Sequence, residues 1–110
     1  MIKVLVIEDE ETIRDNIIEM LENEGFNAIG AANGQSGLEL ALATKPDLII
    51  CDVIMPKLDG YGVLSQLRQN PAIQTIPFVF LTAKTSKAER RQGMALGADD
   101  YLIKPFTGDE

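Results

Sequence analysis

Five side chains stand just beyond short apolar runs. Glu8 and Asp9 follow Ile2–Ile7, Asp52 follows Asp47–Cys51, Thr82 follows Ile76–Leu81, and Lys104 follows Asp100–Ile103 and precedes Pro105. If the runs are parallel strands, their carboxyl ends carry three acids, a hydroxyl and an amine to one place. Three carboxylates in a partly buried site repel one another unless a cation neutralises them. Oxygen donors alone favour Mg²⁺, which keeps several waters and is held by one or two carboxylates together with phosphate oxygens. Histidine is absent, and strand alternation points Cys51 away from Asp52, so the donor set is wrong for zinc. A carboxylate beside such an ion can attack phosphorus, and a cation, a lysine and a hydroxyl suit the charge of the in-line transition state.

The elements that must hold these residues are legible as alternation. The apolar runs, with a weaker one at Asn27–Ala31, alternate with stretches of helical period, the pattern of parallel strands joined by crossover helices. Ile13, Ile17, Ile18 and Leu21 mark a first helix, Leu38 and Leu42 a second, Val63, Leu64 and Leu67 a third, Met94 and Ala95 a fourth. Gly25, Pro46, Asn70 with Pro71, and Gly97 supply the stops. Only Phe106–Glu110 follow Pro105, too little for a fifth helix, so a single domain cut short at its end is expected. Sheet surface left bare by that loss would be exposed or would join two copies of the chain.

Composition narrows the function. The 110 residues fit one domain, and 45% hydrophobic with 25% charged residues is the balance of a soluble globular chain. Ten basic against 17 acidic residues give a net charge of −7, which opposes direct nucleic-acid binding. No membrane span is expected. The lone Cys51 and the lack of a charged-then-apolar leader favour a cytoplasmic location.

Glu8-Asp9, the segment Asp52-Val53-Ile54-Met55-Pro56-Lys57-Leu58-Asp59-Gly60, Leu81-Thr82-Ala83 and Lys104-Pro105-Phe106 together resemble the receiver domains of response regulators, over Met1–Phe106. The resemblance implies a flavodoxin-like, doubly wound α/β fold with a five-stranded parallel sheet in order 2-1-3-4-5, here with four helices. It implies that Asp52 accepts a phosphoryl group from a sensor histidine kinase or histidine phosphotransfer protein. Glu8, Asp9, Asp52 and the main-chain carbonyl of Ile54 would hold Mg²⁺, and Lys104 would pair with a phosphoryl oxygen. Thr82 and Tyr101 would be the switch pair, turning modification into a change near the fourth helix and fifth strand. The peptide bond before Pro105 is typically cis in the family. Glu8 stands where Asp is commoner, and Ile54 and Lys84 flank the site where phosphoryl lifetime is set.

Each residue also has a plainer reading. Asp after a strand is commonly a turn former or cap, Thr82 a β-branched strand end, and Lys104 a surface charge. Glu10 and Glu11 suit a helix start, and Asp59 and Gly60 a turn opening the third helix. Tyr101 could be an ordinary aromatic, and Cys51 a small core residue. Three other functions weaken on inspection. A phosphohydrolase of the haloacid-dehalogenase type needs an acid where Ile54 stands. A flavodoxin-like cofactor carrier would need phosphate to sit against Glu8-Asp9-Glu10-Glu11. A degenerate receiver acting only as an interaction module would not need the full residue set.

Overall fold

The computed structural model describes residues 1–82, 91, 95 and 97–103, with 82 and 100–103 as backbone only. Strands β1 (Lys3–Ile7), β2 (Asn27–Ala31), β3 (Leu48–Asp52), β4 (Phe78–Thr82) and β5 (Asp100–Ile103) form one parallel sheet in the order β2-β1-β3-β4-β5. Helices α1 (Glu11–Asn23), α2 (Gly34–Thr44) and α3 (Gly60–Arg68) make the crossovers between the first three strands and from β3 to β4. Of the fourth expected helix, Arg91 and Ala95 are helical and the rest lies outside the described residues. Among the described residues, no helix is long and apolar enough to cross a membrane.

The continuous apolarity of the central strands follows from cover on both faces. Alternate residues of β1 divide between two cores. Leu5 and Ile7 pack with Ile49, Cys51, Phe78 and Phe80 under Leu38 and Ala41 of α2 and Val63, Leu64 and Leu67 of α3. Val4 and Val6 pack with Ala28, Ile50 and Leu81 under Ile17 and Leu21 of α1. The helices therefore lie on opposite faces, as a doubly wound sheet requires.

Several boundaries differ from the sequence reading, for identifiable reasons. Ile2 is exposed, and β1 begins at Lys3. Asp47 is held out of β3 because its carboxylate accepts the Lys3 amide at 2.8 Å. Ile76 and Pro77 precede β4, since proline has no amide to give a ladder, although the Pro77 carbonyl still accepts from the Ile49 amide at 2.9 Å. The inward line of α2 runs through Gly34, Gly37, Leu38 and Ala41, and it leaves Leu42 exposed. Gly37 is needed there because any Cβ would run into the Ile7 side chain.

The helix starts show the same mixture. Asn33 caps α2 by accepting the Ser36 amide at 2.8 Å, and Asp59 caps α3 by accepting that of Gly62 at 2.8 Å. Glu10, read as a capping residue, makes no side-chain cap bond to α1, whereas Glu11 does lie in the first turn.

Candidate functional site

The parallel register sets the carboxyl ends of the central strands level. Ile7 pairs with Cys51, so Glu8 and Asp52 each stand one residue beyond the same row. Asp52 in turn pairs with Leu81, and Leu81 with Leu102. Thr82 ends β4 opposite Ile103, and Tyr101 lies opposite Phe80. The side chains of Thr82 and Tyr101, and Lys84, Lys104 and Pro105 altogether, lie outside the described residues.

Three of the expected site residues do meet. Glu8, Asp9 and Asp52 each offer a carboxylate oxygen, and these oxygens lie within 4.8 Å of one another. Glu8 is 0% and Asp52 5% exposed, while Asp9 faces solvent. The cluster thus has a buried floor and an open rim. Ile54 is 79% exposed, so its side chain covers nothing, and a main-chain carbonyl is all it could offer an ion.

The turn after β1 is fixed from several directions. The Glu8 amide donates to the Ala31 carbonyl at 3.0 Å, and the Glu8 Oε2 accepts the Glu10 amide at 3.2 Å. Arg14, one turn into α1, donates from Nη1 to the Glu8 carbonyl at 2.9 Å. Sequence reasoning missed this role of Arg14; its only signal was a lone basic residue six positions after Glu8, on the helix the acids precede.

Behind Asp52 the backbone is packed without slack. The Gly60 amide donates to the Val53 carbonyl at 2.8 Å, and a Cβ on Gly60 would collide with the Asp52 carbonyl and stand 2.9 Å from Val53 Cα. Gly60 was expected only to open a helix, but it also lets α3 start directly against the strand end that carries Asp52.

Cys51 reports on the local field. Its thiol is fully buried, donates to the Asp52 carbonyl at 3.3 Å, and packs in the core face opposite to Ile50. Burial pushes the thiol well above its ordinary range, and the charges of Asp52, Glu8 and Asp59 push it further. Cys51 is not among the groups whose ligand atoms meet within 4.8 Å. The same field favours a cation, and oxygen donors at this spacing fit a hard divalent ion. A groove of about 700 Å³ between the start of α2 and Pro56–Leu58 is lined by none of the three acids. The three carboxylates thus lie outside that groove.

Residues 4–110 match the response regulator receiver domain family. The chain belongs to it. It is 44% identical over 108 residues to the alkaline phosphatase synthesis transcriptional regulatory protein PhoP of Bacillus subtilis, covering 98% of this chain and 44% of that relative. It is 42% identical over 108 residues to the probable transcriptional regulator ycf27 of Porphyridium aerugineum, covering 98% and 44% of the two chains. The chain thus spans less than half the length of these curated relatives. Among solved structures, the chemotaxis protein CheY4 of Vibrio cholerae superposes with a TM-score of 0.95 at 33% identity, over 99% of this chain and 91% of that one. The fold is accordingly the flavodoxin-like α/β receiver fold, and the chain is the receiver domain of a two-component response regulator.

Proposed function

We propose that Asp52 is the phosphoacceptor and that Glu8, Asp9, Asp52 and the Ile54 carbonyl hold Mg²⁺. The observation that carries this reading is the meeting of three carboxylates at the carboxyl ends of β1 and β3, two of them buried. When bound, the ion neutralises the cluster and draws charge from the phosphoryl oxygens as the transfer proceeds.

The transfer itself is a displacement at phosphorus. A carboxylate oxygen of Asp52 forms a bond to the phosphorus atom of a phosphohistidine on a sensor kinase or phosphotransfer protein. The phosphorus–nitrogen bond breaks and its electron pair returns to the imidazole, which carries a proton on its other ring nitrogen and so leaves neutral. The product is an aspartyl phosphate and free histidine. Buried walls on Asp52 limit the directions of approach, and the open side at Asp9 admits the donor. Lys104 pairs with a phosphoryl oxygen, and Thr82 moves toward the new group while Tyr101 turns inward, which alters the face near β5. The domain turns over no substrate beyond its own modification and loss of phosphate, and it works in the cytoplasm. A net charge of −7 suits a protein partner better than a direct nucleic-acid contact by these residues.

Acetyl phosphate tests the central residue directly, with acetate as leaving group. With Mg²⁺ present, the native chain is expected to gain one phosphoryl mass and Asp52→Asn none, with circular dichroism unchanged. A mass gain that survives Asp52→Asn rejects the assignment.

A further inference from the structure

Arg68, the last residue of α3, takes no part in the chemistry above, yet it is tied to two segments further along the chain. Its Nη1 donates to the carbonyls of Gln74 at 2.9 Å and Ile76 at 2.7 Å, in the stretch leading into β4. Its Nη2 donates to the Gly97 carbonyl at 2.7 Å and meets Asp99 Oδ2 at 3.4 Å, in the turn leading into β5. That same Oδ2 accepts the Phe78 amide at 2.7 Å, and the Asp99 amide donates to the Phe78 carbonyl at 2.8 Å. The turn is shaped around the guanidinium as well. Gly97 has φ +102°, and a Cβ there would stand 3.0 Å from Arg68 Nε.

A planar group with five donors in a fixed fork can serve these acceptors together, which a single ammonium cannot. The strand it serves needs the help. β5 has four residues and, among the described residues, lies at the sheet edge and pairs with β4 alone. A short edge strand is the element whose register its own ladder fixes least, and a slip of one residue sends every side chain to the other face. Register at β5 has a chemical consequence. Ile103 pairs with Thr82 at the carboxyl end of β4, and Lys104 is the next residue in the chain, so the pairing begun at Asp99 sets which residues end the strand.

We infer that Arg68 is a positioning residue for the phosphoryl site: from the far end of the sheet it clamps the start of β5 and so holds the register of the strand that Lys104 follows in sequence. The inference rests on the reading of Lys104 given above. The salt bridge to Asp99 is the weaker part of the clamp, because Asp99 is largely exposed and exposed ion pairs contribute little. The three carbonyl contacts of the charged guanidinium are the stronger part.

Two measurements on the full chain, both well below the melting temperature of each variant, test it. In Arg68→Met, amide exchange at Tyr101–Ile103 is expected to quicken by roughly tenfold or more while Val4–Ile7 stays unchanged. Unchanged exchange in β5 overturns the clamp. The second measurement is the rate of Asp52 modification by acetyl phosphate. Arg68→Met is expected to slow it without weakening Mg²⁺ affinity, and the double variant with Lys104→Ala to be no slower than Lys104→Ala alone. An equal loss in both backgrounds shows Arg68 acting independently of Lys104 and overturns the positioning role. If Lys104→Ala leaves the rate untouched, the reading of Lys104 fails and the positioning role with it, while the exchange data still decide whether Arg68 holds β5.

Discussion

At the amino ends of the strands, charged groups sit beside opposite charge or carbonyl oxygen. The Lys3 ammonium donates to the Thr44 carbonyl at 3.1 Å, the Asp47 carboxylate accepts the Lys3 amide at 2.8 Å, and Arg68 reaches Gly97 and Asp99. At the carboxyl ends of β1 and β3, Glu8, Asp9 and Asp52 bring like charges within 4.8 Å. In the function proposed above, the first arrangement would serve stability and the second would serve a cation and a phosphoryl group. Groups of like charge brought together in this way are expected at functional sites more than elsewhere in a fold.

The largest effect should come from filling the space behind Asp52. Gly60→Ala would press a methyl group against the Asp52 carbonyl and Val53 Cα, where the neighbours are backbone and cannot turn aside. Overpacking of this kind costs about 2–3 kcal/mol, and the strand end must shift to relieve it. Urea denaturation should show the loss, and modification of Asp52 should slow by more than the fraction unfolded explains. Slowing in proportion to unfolding alone would mean that Gly60 serves the fold and not the site.

Mg²⁺ should narrow the contrast between the ends. At ten times its dissociation constant, an ion that binds only the folded chain stabilises it by about 1.4 kcal/mol. The gain should appear as a raised melting temperature, and Asp9→Asn should reduce it. No shift at millimolar Mg²⁺ would leave the acidic cluster without a purpose.

A third test reads the field through Cys51. Its folded-state pKa is raised, by burial first and by Asp52, Glu8 and Asp59 after that. Above the unfolded thiol value of about 8.5 the folded state therefore holds a proton that the unfolded state has lost, so stability falls as pH rises. Its contribution is whole below that value and declines by up to about 1.4 kcal/mol per pH unit above it. Comparing the native chain with Cys51→Ala from neutral to alkaline pH isolates the effect. Parallel stability curves would show that the thiol keeps its ordinary acidity in the fold.

What the sequence revealed was local. The strand read at Asn27–Ala31 has the same bounds in the fold, and Glu8, Asp9 and Asp52 were visible because they stand at the ends of apolar runs. What it hid depends on partners far along the chain. Asp47 leaves its strand for an amide 44 residues away, and Arg68 finds Gly97 and Asp99 29 and 31 residues on. No periodicity encodes such pairs. Leu42 fails for another reason, since glycine and alanine carry the inward line of α2 and a hydrophobicity pattern gives them little weight.

The smallest effect lies at the stable end, and it checks that the two ends are separable. Lys45 closes α2 with φ 45° and ψ 67°, and its amide donates to the Ala41 carbonyl at 2.9 Å. Pro46 follows and disfavours the right-handed helical region for the residue before it, so the chain turns left-handed at a residue with a side chain. That conformation costs an L-residue about 1–2 kcal/mol, and glycine would remove the cost while giving back part of it as unfolded-state entropy. Lys45→Gly should therefore stabilise the chain by about 0.5–1 kcal/mol, read as a higher urea midpoint with unchanged slope. The rate of Asp52 modification should not move, because the substitution changes neither the carboxylates nor the strand register. A changed rate would mean that strain at the amino end is felt at the carboxyl end, and the division between an end that stabilises and an end that reacts would have to be given up.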